Sequence, residues 1–224
     1  MSASEASVSL TPSEQALIYA DRFAPKGSML KGKENLLLGE GNVAVNPLAE
    51  VMLCLALLGL EKAGTVKLQQ ATRKSLFGLI KRHVIEVTPT GGAMPYPEGS
   101  LEALLARNLT SAPVDFGDLV YAFFQDDMKW PHQFILDVAK AALGDRGVLQ
   151  LESTKKMLVF TTVKATVAED RKAALLAGTP AEAQALMKAA EGRGTFWTEM
   201  VKQASSGLLR RTERDVPDNT SFSD

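Results

Sequence analysis

A lysine pair followed at once by apolar residues is the most chemically suggestive pattern in this chain. Lys155 and Lys156 precede Met157, Leu158 and Phe160. The flanking runs 148–151 and 157–162 are β-like, and pairing them predicts a hairpin whose polar, basic tip is 152–156. An edge that projects and is both basic and apolar suits an anionic lipid surface or the phosphates of a nucleic acid. Other cations gather at Lys26, Lys31 and Lys33, at Arg73 and Lys74, at Lys81 and Arg82, and at Arg210 and Arg211. Arg73, Lys74, Lys81 and Arg82 are candidates for a basic binding surface, although such clusters are commonly solvated surface and nothing more.

Residues suited to catalysis are sparse. His83 and His132 are the only histidines and lie far apart in the chain. His83 sits at a predicted helix–strand junction, where a backbone hydrogen bond would satisfy it, and His132 lies in a first helical turn. There is no G-x-S-x-G nucleophile motif, no Walker-type phosphate loop and no G-x-G-x-x-G after a strand. Gly192-Arg193-Gly194 reads as a helix–helix linker, with an anion at the following helix start as the sharper alternative. Asp126-Asp127 is an adjacent acidic pair, yet hard cations want several converging oxygens, so the pair reads as charge complement for the helix that follows. The chain is therefore read as a binding protein and not an enzyme, with no metal and no cofactor.

Composition narrows the class. With 224 residues, 46% hydrophobic and 23% charged, the chain can bury one substantial core. A net charge of −1 favours no polyanionic partner, so a nucleic-acid binder would need its cations concentrated locally. Cys54, the single cysteine, lies in the apolar run 51–60 and reads as a small buried hydrophobe. A lone cysteine also fits a reducing compartment. Residues 1–10 are small, polar and acidic, unlike a secretory leader. The ten-residue run 51–60 is short of the roughly 20 residues a spanning helix needs. Cytoplasmic residence is expected.

The elements that would position these residues are mostly helices. Thr11-Pro12-Ser13-Glu14 has the form of a capping box with proline in the first turn. Asn46 followed by Pro47 predicts the cap of a helix that is apolar all round through Leu60 and hence buried at the centre of the fold. Residues 73–82 read as a short helix with basic ends, between short strands at 65–68 and 84–87. Helices are predicted at 100–108, 114–124 and 131–143, then at 167–176, 180–190 and 195–209. The fold class is mainly α, a compact multi-helix domain with a buried central apolar helix and a small β-hairpin. Residues 1–10 are expected to be disordered, 11–209 to form a single helical domain, and 210–224 to be a disordered tail.

Taken in order, several segments resemble the Golgi phosphoprotein 3 family. They are the apolar helix 52–60 leading into Gly64-Thr65-Val66-Lys67-Leu68, then Arg73-Lys74-Ser75-Leu76, and the strand 84–87. Pro89-Thr90-Gly91 follows, then Leu101-Glu102-Ala103-Leu104, Gly147-Val148-Leu149 and Leu158-Val159-Phe160. The resemblance spans about 48–171. It implies a helical peripheral membrane adaptor whose hairpin meets an anionic leaflet and which reads the phosphate of phosphatidylinositol 4-phosphate with arginines and a tryptophan. Where that family carries two arginines on the helix before the hairpin, this chain has Gln133 and Leu136. The run 51–60 holds no charge, and no tryptophan precedes it. The lipid-facing residues expected here are Lys155, Lys156, Met157 and Leu158, and the location the cytosolic face of an internal membrane. Two lysines at about 1 kcal/mol each give weak binding that a homo-oligomer would strengthen. Protein partners are expected as well. A winged-helix nucleic-acid binder, with 131–143 in a groove, ranks lower because that helix offers only His132, Gln133 and Lys140. A ligand-free protein–protein scaffold is the other reading.

Overall fold

A computed structural model describes residues 9–28, 32–75, 80–124, 128–156 and 160–213. Among these residues the fold is mixed α/β and mainly helical. The first helix, α1 (Pro12–Ile18), starts as its sequence dictates: the Thr11 hydroxyl accepts from the Glu14 N–H, and the Glu14 carboxylate accepts from the Thr11 N–H at 2.9 Å. Two short strands, β1 (Glu34–Asn35) and β2 (Asn42–Val43), pair antiparallel and lead into α2 (Val45–Lys62). Every residue of α2 from Val51 to Leu60 is buried. It packs against α1, α3 (Leu101–Arg107), α5 (Pro131–Asp145), α7 (Ala181–Glu191) and α8 (Phe196–Glu213). A helix apolar on all sides has no face to leave in water, and each fully buried leucine contributes roughly 2 kcal/mol of transfer free energy.

Asn46 does not cap α2. The helix begins one residue earlier, at Val45, with Ala44 in the cap position and no side-chain cap bond. Ser100 caps α3 by accepting from the Ala103 N–H, and Pro131 takes the first turn of α5.

The β content exceeds one small hairpin. Residues 73–75 and 80–82 are not helix, and 76–79 lie outside the described residues. The former are the paired ends of β3 (Val66–Ser75) and β4 (Ile80–Pro89), whose register sets Arg73 opposite Arg82 and Lys74 opposite Lys81. Their short stretch of helical periodicity is overridden by cross-strand backbone bonding that begins at the buried base, Val66, Leu68, Ile85 and Val87. β5 (Val114–Asp115) adds to β4, so the helix expected from 114 starts two residues later as α4 (Phe116–Phe123). The second hairpin is longer than its apolar runs indicated. It comprises β6 (Leu149–Lys156) and β7 (Phe160–Val167), with Lys155 opposite Thr161 and Lys156 opposite Phe160. Residues 152–156 are thus strand and not tip, because backbone bonds carry the ladder through polar side chains. The base pair Leu149 and Val167 is buried, and α6 (Glu169–Ala177) follows.

Residues 9–10 and 210–213 hold more structure than their composition implied. Arg146 donates to the Ser9 carbonyl at 3.0 Å, and Leu10 packs on the core. α8 continues through Arg210 and Arg211 to Glu213. Arg211, 8% exposed, donates to the carbonyls of Tyr121 and Phe124 and stacks on the Tyr121 ring. These two arginines lock α8 to α4 and are not tail.

Candidate anion-binding cleft

Two helices begin side by side without side-chain caps. α2 starts after Ala44 and α5 after Trp130. The first N–H groups of a helix have no intrahelical acceptor and carry the positive end of its dipole. Proline removes one such donor from each first turn, at Pro47 and Pro131, and leaves those of Val45 and Asn46, and of His132 and Gln133. All four of these residues line one cleft of about 580 Å³, with Lys33, Lys129, Trp130, Leu209 and Thr212.

The lining is basic and amphipathic. Lys33 and Lys129 are exposed, and among the described residues neither has a carboxylate partner. The Lys129 ammonium lies 5.7 Å from the centre of the Trp130 ring, which is 67% exposed. Among the described residues Trp130 is the most exposed of the large apolar side chains, as suits a ring that meets an interface. His132 is nearly buried, its Nε2 3.7 Å from Glu50 Oε1.

Behind the cleft an ion-pair network fixes α5. Lys140, 3% exposed, bonds Glu34 at 2.7 Å, and Gln133 bonds both Asp137 at 3.0 Å and Glu34 at 3.3 Å. Leu136 lies fully in the core. Gln133 and Leu136 are thus committed to a network and to packing. The set that lines the cleft was not legible in the sequence. Lys33, Lys129 and Trp130 belong to a loop and a helix cap far apart in the chain, and only the packing of α5 on α2 brings them together. The uncapped start of α2 at Ala44 and Val45 is masked in the sequence by the better-looking Asn46-Pro47 one step later.

The candidates from sequence fall in other places. Arg73 is neutralised by Glu86 at 2.5 Å and Asp115 at 3.1 Å. Lys74 sits on β3 opposite Lys81 on β4. Lys81 and Arg82 are exposed. Lys155 and Lys156 occupy the last positions of β6, while Met157 and Leu158 lie outside the described residues, as do Asp126 and Asp127. None of the basic surface candidates lines the cleft. Arg193 of the Gly192-Arg193-Gly194 turn bonds Glu61 at 2.8 Å and the Leu68 carbonyl at 3.1 Å, and it covers the Phe196 ring, so its charge is used in fastening α8 to α2 and β3.

Among the described residues no helix is long and apolar enough to cross a membrane. No known family model matches the chain, and none of the curated proteins matches it.

Proposed function

We propose that this chain is a peripheral membrane adaptor of the Golgi phosphoprotein 3 type that holds the phosphate of an anionic lipid headgroup in the cleft between the starts of α2 and α5. The carrying observation is the convergence of two uncapped helix N-termini with Lys33, Lys129 and an exposed Trp130. A phosphate there would meet free backbone N–H groups and two ammonium groups, and the indole would lie at headgroup depth. α2 serves in this reading as the buried central helix that both presents one N-terminus and fixes the other through α5. Lys155 and Lys156 at the end of β6, with Met157 and Leu158 next in the sequence, are a second contact with the same leaflet. Lysines beside apolar residues are the pair of signals that peripheral binding uses. The cytosolic face of an internal membrane is the setting this chemistry fits, with protein partners recruited from the opposite side.

The nucleic-acid reading gains nothing from α5. Lys140 and Gln133 are engaged with Glu34 and Asp137, and His132 is buried against Glu50.

Co-sedimentation with vesicles tests the proposal. The chain is expected to bind vesicles containing phosphatidylinositol 4-phosphate or phosphatidylserine and not neutral ones, more strongly at low salt. Lysines near a leaflet are worth about 1 kcal/mol each, so a Lys33→Glu/Lys129→Glu variant should bind at least roughly tenfold more weakly. A Lys155→Glu/Lys156→Glu variant should lose a comparable amount. Equal binding to neutral vesicles, or none to any, would overturn the proposal and leave the scaffold reading.

A further inference from the structure

A second cavity opens beside the start of α5. It measures about 540 Å³, within the roughly 300–1,000 Å³ that ligand sites occupy. The ends of α3 and α4 supply Leu104, Phe123 and Phe124, α5 supplies Phe134 and Val138, and Met128 comes from the approach to α5. The three phenyl rings stand edge-on or tilted to one another, with centres 5.3 to 6.3 Å apart. Phe134 belongs to this cluster and is still 38% exposed.

The polar side chains in the lining are already engaged. Arg107 pairs with Glu98 at 2.5 Å, and the Asn108 amide donates to the Leu104 carbonyl at 2.9 Å. α3 and α4 both end here, and the carbonyl end of a helix carries partial negative charge. The cavity therefore offers little to an anion. To an uncharged hydrocarbon chain it offers three rings and a methionine, the side chain that adapts best to an irregular apolar shape.

The segment 128–134 divides this cavity from the anion-binding cleft. Met128 and Phe134 line the cavity, whereas Lys129, Trp130, His132 and Gln133 line the cleft. A cationic hollow and an uncharged apolar one thus share a wall that is only a few residues thick, and that wall carries the exposed Trp130. We infer that the cavity holds a hydrocarbon chain of the lipid whose phosphate lies in the cleft, so that one phospholipid is held by head and by chain across the start of α5. Two observations select this occupant: the lining leaves no free charge for a headgroup of its own, and the cationic site for that headgroup is next door. The placement of the head rests on the proposed function; the apolar-chain cavity does not.

The experiment titrates the full chain calorimetrically with soluble lipids below their micelle concentrations. The ligands are glycerophosphoserine, which has no acyl chain, dibutanoyl- and dihexanoyl-phosphatidylserine, and the two matching phosphatidylcholines. Each methylene that leaves water strengthens binding about fourfold, so one lodged chain should make the dihexanoyl lipid bind roughly fifteenfold tighter than the dibutanoyl lipid. Val138→Phe, which fills the cavity, should remove most of that gain and leave glycerophosphoserine binding unchanged. Lys33→Glu/Lys129→Glu should do the reverse, keeping the gain and losing the preference for serine over choline headgroups. Unchanged far-ultraviolet circular dichroism is the control for folding in both variants. Equal affinity for the two chain lengths, or a gain undiminished in Val138→Phe, would overturn the chain cavity. So would a chain-length gain seen between butanoate and hexanoate and absent from the phospholipids, since a free fatty acid would then be the occupant. A gain that Val138→Phe removes, shown equally by phosphatidylcholine and phosphatidylserine, would support the chain cavity and overturn the phosphate cleft.

Discussion

Glu102 has no exposed surface. Ser13 donates to both of its carboxylate oxygens, from the N–H at 2.9 Å and the hydroxyl at 3.0 Å, which favours the charged form. Burial outweighs those bonds and lifts its pKa from 4.5 to about 7. Between those values the folded state binds more protons than the unfolded state, so stability falls as pH rises through that window and is constant above it. The loss is up to about 3 kcal/mol by pH 8. Denaturant unfolding at pH 5 and pH 8 should show it, and Glu102→Gln should flatten the dependence; an equal slope in the variant would assign the effect elsewhere. Nothing local in Leu101-Glu102-Ala103-Leu104 announced a buried carboxyl, because the α1 backbone that closes over it comes from the other end of the sequence. Trp130 shows the same limit from the opposite side. As a residue before proline it was legible as a helix start, but its place beside the first turn of α2 was not.

Helix crossings are decided by what two elements can bring within contact. α4 and α8 meet at Gly117 and Gly207: a Cβ on Gly207 would stand 2.7 Å from the Gly117 carbonyl and 2.8 Å from the Val120 side chain. Alanine ordinarily stabilises a helix over glycine by about 1 kcal/mol. Here Gly207→Ala should destabilise by roughly 1–3 kcal/mol, because the crossing must open. A higher denaturation midpoint for the variant would contradict the close approach. The hairpins carry a related lesson. Arg73 opposite Arg82 and Lys74 opposite Lys81 are like-charged rungs, which weaken a ladder. Glu86 and Asp115 offset this at Arg73. Charge at spaced positions suggested a basic-ended helix; the partners that make it a strand lie on β4 and β5.

Across the molecule, protection of the core can be read through one atom. Cys54 is fully buried, and burial first, then the Glu50 charge, pushes its thiol well above the ordinary range. The thiolate is the reactive form, so native Cys54 should resist a disulfide reagent such as DTNB. Its modification rate should rise with denaturant in parallel with the unfolding constant. Stoichiometric reaction within minutes in plain buffer would show that α2 opens locally and is not protected by the fold as a whole.

The sequence by itself determined the mainly helical class, the capping box of α1, the apolar character of α2 and the existence of a hairpin after α5. Each follows from a period, a cap or a proline within a few residues. Tertiary structure alone decided that 73–75 and 80–82 are strand, that Arg210 and Arg211 belong to α8, and that Leu136 is core while Lys33, Lys129 and Trp130 share a cleft. Those outcomes depend on which distant segments pack together. Backbone pairing, ion pairing and convergence of helix ends are contacts between elements, and a local pattern carries no record of its partner.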